Sequence, residues 1–194
     1  MKILKKYQKL SSRVVYRNQR LEIRVDVVRL PSKKTYEQAY FVKPNQYSTG
    51  IIAIEGGGIY LVKQYRYTAG EWMWQIPMGT TSSQDILSSA KKELKEETGL
   101  MAKKWTKLGF IRPEPGMTPQ GTYIFLAEDL TTGKQRIEDT EEGMEVKIFS
   151  IKKFNEMITK GKITCGYTLS AWQIYCQKSN SNFSKHLDCT GVLL

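Results

Sequence analysis

The order of patterned segments predicts an α+β or α/β fold built on a mixed sheet. Alternating apolar and polar residues mark strands repeatedly through residues 12–130. One amphipathic helix, bounded by "TTSSQ" and Gly99, interrupts them, and two further helical segments follow near the end of the chain.

Taken in order, "SRVVYRNQRLEIRVDVVRL" (12–30) reads as two strands with a turn near Asn18, and "PSKK" (31–34) as a second turn. "EQAYFVK" (37–43) supplies a third strand, and "PNQYSTG" (44–50) a boundary loop. Three short strands make a sheet too small to stand alone, so it must dock on the rest of the chain or on a second chain. "IIAIE" and "GIYLVKQYRY" follow as a hairpin across Gly56 and Gly57. The triple glycine is not a phosphate loop, because strand pattern resumes at once and no helix opens. "EWMWQIPMG" (71–79) reads as one short strand. Ser82 or Ser83 is the expected N-cap of the helix that ends at Thr98, and Gly99 its C-terminal stop. "KKWTKLGFIRP" and "TYIFLAEDL" are strands around the loop "EPGMTPQG"; "MEVKIFSI" (144–151) is another. Helices are expected over 152–161 and 168–178. The resulting division is an N-terminal β-subdomain at 1–45, a main domain at 46–178 and a polar tail at 179–194.

A chain of 194 residues fits one domain with a small appendage. The start, "MKILKKYQKLSSRVV", lacks the apolar core of a signal peptide, and no apolar run is long enough to span a bilayer. A cytoplasmic protein without a membrane partner is the expectation. Three cysteines, Cys165, Cys176 and Cys189, show no metal-site spacing and are expected to be reduced thiols. The lone histidine, His186, sits in the polar tail, which argues against histidine-based catalysis. A net charge of +11 favours an anionic partner. Phosphorylated small molecules, RNA and an acidic surface all qualify; the basic residues are scattered and form no nucleic-acid arm, and charge alone does not choose among them.

The acids are placed less evenly. "KKELKEETGL" (91–100) carries Glu93, Glu96 and Glu97 near a helix C-terminus, where they oppose the macrodipole and repel one another. On a helical wheel Glu97 lies about 40° and Glu96 about −60° from Glu93, at about 100° per residue. This arc overlaps the apolar stripe of Ile86, Leu87, Ala90 and Leu94, while Lys91, Lys92 and Lys95 fill the other side. Half-buried carboxylates without a nearby His or Cys suit a hard divalent ion such as Mg²⁺ or Mn²⁺. The competing reading is a solvated face with i,i+4 pairs to lysine.

"GTTSSQDILSSAKKELKEETGL" (79–100) resembles the Nudix box. Its second half matches from Glu93 through Leu100, with Lys92 in the arginine position. The first half departs from the pattern, with Gln84 near the place of the upstream glutamate and the loop one residue short. "YRNQRLEIRVDVVRLP", "VKQYRY", "WQIPMG", "PEPGMTPQGTYIFLAEDL" and "EEGMEVKIFSIKKFNEMITKGKI" follow the order found in the ADP-ribose pyrophosphatase and nucleotide-sugar hydrolase subgroup, over most of residues 13–175.

The resemblance implies a Nudix α/β/α sandwich with an N-terminal β-subdomain, a homodimer, and Mg²⁺-dependent hydrolysis of a nucleoside diphosphate sugar. ADP-ribose, cleaved to AMP and ribose 5-phosphate, is the first expected substrate; GDP-mannose or another nucleotide sugar is the alternative. It places the metal on Glu93, Glu96, Glu97 and the Met78 carbonyl, and gives Lys92 the task of orienting Glu93. It assigns diphosphate or ribose recognition to Arg66, and a substrate loop to Gly116. Glu141 or Glu142 is the expected general base. Gln84 and Gln120 stand where acids are common, so a weak enzyme or a nucleotide-sugar sensor is a competing expectation. Tyr16, Tyr36, Tyr40 and Trp74 are candidate base-stacking aromatics, although strand aromatics more often serve the core.

Overall fold

The computed structural model describes residues 6–43, 47–81, 83–133 and 142–179. Three antiparallel strands, β1 (Gln8–Arg17), β2 (Glu22–Arg29) and β3 (Thr35–Val42), form one sheet in the order β1-β2-β3. The turn between the first two is set by Asn18, whose side-chain oxygen accepts the Arg20 and Leu21 N–H groups at 2.8 and 2.9 Å.

A second, seven-stranded sheet contains β4 (Tyr47–Glu55), β5 (Gly58–Arg66), β6 (Glu71–Gln75), β7 (Met78–Thr81), β8 (Leu100–Ile111), β9 (Gly121–Thr132) and β10 (Glu145–Ser150). Its main path runs β10-β5-β4-β9-β8, with β6 paired to β5 and β7 to β4. The β4–β9 pairing is parallel and the others are antiparallel, so the sheet is mixed. The expected single strand at 71–79 is two strands broken at Ile76–Pro77, since proline cannot donate to a ladder. β4 begins at Tyr47, inside the expected boundary loop.

Helix α1 (Ile86–Thr98) covers one face, and α2 (Ile151–Thr159) and α3 (Gly166–Lys178) cover the other. The period-2 alternation of β4 decides which residues meet which layer. Ile51 and Ala53 pack with Ala90 and Leu94 of α1, while Ile52 packs with Phe154 of α2 and Trp172 of α3. The two layers and the mixed sheet make the α/β/α sandwich that the box resemblance implied.

Two local expectations are corrected. The N-cap of α1 is Asp85, whose carboxylate accepts the Ser88 N–H at 3.1 Å and the Ser88 hydroxyl at 2.6 Å. Ser83 instead accepts the N–H of Asp85 itself, two residues on, at 3.0 Å, and Ser82 lies outside the described residues. Cys165 is a free buried thiol, as expected, but Cys176 is engaged in a disulfide. Cys189, His186 and most of the expected tail lie outside the described residues. Among those described, no helix is long and apolar enough to cross a membrane.

Candidate active site

The acidic helix does what its wheel predicts. Ala90, Leu94 and Glu97 are buried along one stripe, Glu93 and Glu96 are half-buried beside it, and Lys91, Lys92 and Lys95 are exposed. Glu97 is 2 % exposed, and its carboxylate accepts the Met78 N–H at 3.0 Å. That bond ties the last turns of α1 to the start of β7, bringing together two residues that the resemblance assigns to one site.

Glu93 approaches the next residue of that strand. A Cβ built on Gly79 would lie 2.0 Å from the Glu93 carboxyl carbon and 2.2 and 2.3 Å from its oxygens. No side chain larger than hydrogen fits there unless the carboxylate leaves, so the glycine is required by close approach. At the other end Gly99 takes φ 73°, and its N–H closes the helix on the Lys95 carbonyl at 2.9 Å.

Glu96 lies 3.4 Å from the Lys92 ammonium, an i,i+4 pairing on the helix surface. Lys92, which the resemblance pairs with Glu93, makes this ion pair with Glu96. The three carboxylates hang from two turns of one helix but point to different neighbours. Among the described residues, no group of three or more His, Cys, Asp or Glu side chains is arranged to hold a metal ion. The donor chemistry nevertheless fits a hard divalent cation: all oxygen, anionic, half-buried, and on i, i+3 and i+4 positions that share a face. A fully buried hydroxyl with no hydrogen-bond partner among the described residues, Thr49 Oγ1, stands on the same side of the sheet.

A cavity of about 520 Å³ opens between the N-terminal sheet and the main domain. Its floor is a row of hydroxyls in register across three strands, Thr80 of β7, Ser48 of β4 and Thr122 of β9. The Ser48 and Thr122 oxygens are 2.6 Å apart. Phe41 and Lys43 enter from the N-terminal side, and Glu114, Gln120 and Tyr167 from the main domain. Gly79 and Thr80 are consecutive in β7, so the Glu93 carboxylate and the cavity floor lie on opposite faces of the same strand.

Arg66, at the end of β5, donates from Nε to the Gln75 side-chain oxygen at 3.0 Å, which leaves the far edge of its guanidinium directed by a fixed near edge. It lies close enough to Tyr167 to act on that phenol, whose pKa burial pushes up, with Glu114 reinforcing the rise and Arg66 opposing it. Arg66 itself does not line the cavity; it stands behind Tyr167, which does. The Gly116 loop is held from the N-terminal sheet. Gln38 donates to the Gly116 carbonyl at 3.2 Å, and the Phe41 N–H to the Met117 carbonyl at 2.9 Å.

The general-base candidates divide. Glu141 lies outside the described residues. Glu142 is exposed in a turn before β10, next to Gly143, which packs on Trp72. The four stacking candidates line no part of the cavity. Tyr16 is exposed, Tyr40 donates to Asp26 at 3.2 Å, and Trp74 meets Phe149 edge-on at 4.9 Å. The aromatics that do line it are Phe41, Tyr47 and Tyr167, which sequence reasoning missed. They come from three distant segments, and no local signal joins them.

The family model for the NUDIX domain matches residues 44–166. The chain is 28 % identical over 156 residues to an ADP-ribose pyrophosphatase of Bacillus subtilis (strain 168), covering 79 % of this chain and 83 % of that protein. It is 26 % identical over 161 residues to an ADP-ribose pyrophosphatase of Mycobacterium tuberculosis (strain ATCC 25618 / H37Rv), covering 81 % and 77 %. A CMP-5'-(N-acetyl-N-hydroxy-3-aminopropyl)phosphonate hydrolase of Streptomyces rubellomurinus (strain ATCC 31215) is 27 % identical over 158 residues, covering 79 % and 75 %. The crystal structure of an ADP compounds hydrolase superposes with TM-score 0.84 at 17 % identity, covering 94 % of this chain and 99 % of that one, a likeness of fold. A carboxylate helix anchored to β7 through Met78 and Gly79, within a family match that spans most of the chain, makes this protein a member of the Nudix hydrolase family.

Proposed function

We propose that the chain hydrolyses the diphosphate linkage of a nucleoside diphosphate sugar, with ADP-ribose giving AMP and ribose 5-phosphate as the leading reaction. The observation that carries this reading is the anchoring of Glu97 on Met78 and of Glu93 over Gly79, which fixes the carboxylates on β7, the strand whose opposite face contributes to a cavity large enough for part of a nucleotide. Glu93, Glu96 and Glu97, with the Met78 carbonyl, would hold Mg²⁺ or Mn²⁺. Bound there, the ion would offset diphosphate charge and acidify a water.

The remaining work falls to the chain itself. Arg66, steadied by Gln75, binds the diphosphate or the terminal ribose through its free edge. The Gly116 loop, tied to Gln38 and Phe41, closes the substrate cavity against the N-terminal sheet. Glu142, or Glu141 beside it, takes the proton of the attacking water. The water oxygen joins one phosphorus as the bridging P–O bond breaks, and the proton ends on the leaving phosphate.

The domain division at 45 and 178, and a homodimer, belong to the same proposal. The dimer is supported by β1, which is exposed throughout and carries Leu10, Val14, Val15 and Tyr16 on its surface.

One observation favours a second reading. Gln120 lines the cavity where an acid is common, so the site has less negative charge to hold metal, as a nucleotide-sugar sensor would. A panel of ADP-ribose, GDP-mannose and other nucleotide sugars, assayed for Mg²⁺-dependent release of the nucleoside monophosphate, separates the two. Turnover of ADP-ribose that Glu97→Gln lowers by about two orders of magnitude or more is the expected result. Tight ADP-ribose binding without turnover would establish the sensor.

A further inference from the structure

Thr49 lies on β4 with its side chain fully buried, and its hydroxyl has no hydrogen-bond partner among the described residues. A buried hydroxyl left unsatisfied is costly, and native proteins seldom keep one without a use. Nothing in the strand demands threonine. Its neighbours on the same face, Ile51 and Ala53, pack into the apolar cluster under α1, where valine would fill the same volume at no polar cost.

The register shows where the hydroxyl is aimed. Thr49 pairs directly with Gly79 across the antiparallel β4–β7 ladder. Residues opposite one another in such a ladder point to the same face, with Cβ positions about 5 Å apart. The space that a Gly79 Cβ would take is filled by the Glu93 carboxylate, 2.0 Å away. The Thr49 side chain therefore stands within about 7 Å of that carboxylate, under the same helix. The flanking residues turn the other way: the Ser48 hydroxyl meets Thr122 in the cavity floor, and a Gly50 Cβ would meet Ile76 and Ile124.

We propose that Thr49 is a positioning residue of the carboxylate site: its hydroxyl bonds the Glu93 carboxylate, directly or through one water, in the arrangement that holds a divalent ion. The proposal rests on the reading of Glu93, Glu96 and Glu97 as the metal-holding group. It assigns to a residue of the sheet, outside the acidic helix, the task of fixing one ligand's orientation, a task whose loss elsewhere weakens metal binding by about 10- to 100-fold.

The test uses the full-length protein stripped of metal, with Mn²⁺ as the probe. Mn²⁺ affinity is read by the loss of the free-ion electron paramagnetic resonance signal, and thermal melting is recorded before Mn²⁺ is added. Thr49→Val should bind Mn²⁺ about tenfold more weakly or worse, and its metal-free form should melt no lower than wild type. Thr49→Ser, which keeps the hydroxyl, should retain affinity within about threefold of wild type by the same reasoning. Equal affinity of Thr49→Val and wild type overturns the proposal while leaving the metal reading intact. Metal-free Thr49→Val that melts well below wild type also overturns it, because the hydroxyl then has a structural partner. Wild-type protein that takes up no Mn²⁺ at millimolar concentration overturns the metal reading and this inference together.

Discussion

On the α2/α3 face of the large sheet, the buried side chains are Ile52, Ile59, Leu61, Ile76 and Ile124, met by Phe154 and Trp172. Polar groups buried there have partners: the Thr168 hydroxyl accepts the Ile76 N–H at 3.0 Å, and the Trp172 indole donates to Asn155 at 3.0 Å. Among the described residues, the α1 face has fewer apolar side chains, a buried glutamate and a hydroxyl without a hydrogen-bond partner. One sheet thus carries a face filled for stability and a face that keeps polar groups at a cost. Under the proposed function, the polar face is the one that carries the metal-holding carboxylates.

Damage to the two faces should separate stability from activity. Phe154 is fully buried and meets Trp172 edge-on at 5.1 Å. Phe154→Ala should cost about 3–5 kcal/mol in urea unfolding, while kcat per folded molecule stays at the wild-type value. A fall in kcat as large as the fall in stability would show that the faces are coupled.

The converse variant is Gly79→Ala. The atom it displaces is the end of a flexible side chain, and alanine suits a strand better than glycine. Stability should therefore stay within about 1 kcal/mol of wild type. The Glu93 carboxylate must leave its place, so turnover should fall about tenfold or more. Unchanged turnover in steady-state assay would show that the position of Glu93 over Gly79 is not the working one.

The same contrast explains how much could be read without coordinates. Strands, the α1 stripe and its Gly99 stop were legible because periodicity and glycine conformation are local properties. So was the placement of Glu93 and Glu97 at the border of a buried face. Three things were not. The break at Pro77 makes two strands of one apolar run, since both halves still pair, β6 with β5 and β7 with β4. The cavity unites Phe41, Tyr47, Glu114 and Tyr167 from separate segments, which only the packing of the two sheets brings together. Thr49 reads as an ordinary strand residue, because burial without a partner is a tertiary fact.

The N-cap of α1 was missed for another reason: "TTSSQD" offers several residues that cap nearly equally well, so composition cannot choose among them. The structure selects Asp85, and its charge makes the choice testable. The Ser88 hydroxyl, then the Ser88 N–H, hold the Asp85 carboxyl below the usual aspartate range. A carboxyl whose folded pKa is lowered stabilises the protein above its unfolded pKa, and loses that contribution as pH falls through the folded value. Asp85→Ala should lower Tm by about 2–4 °C at neutral pH. The gap from wild type should stay constant down to about pH 5 and close below about pH 4. Asp85→Asn, which keeps an acceptor but no charge, should show a smaller gap with no closure in acid. A gap for Asp85→Ala that is independent of pH in differential scanning calorimetry would mean that the cap works by shape alone. The start of the acidic helix would then be held as α2 is, where the neutral Ser150 hydroxyl accepts the Lys153 N–H at 3.2 Å.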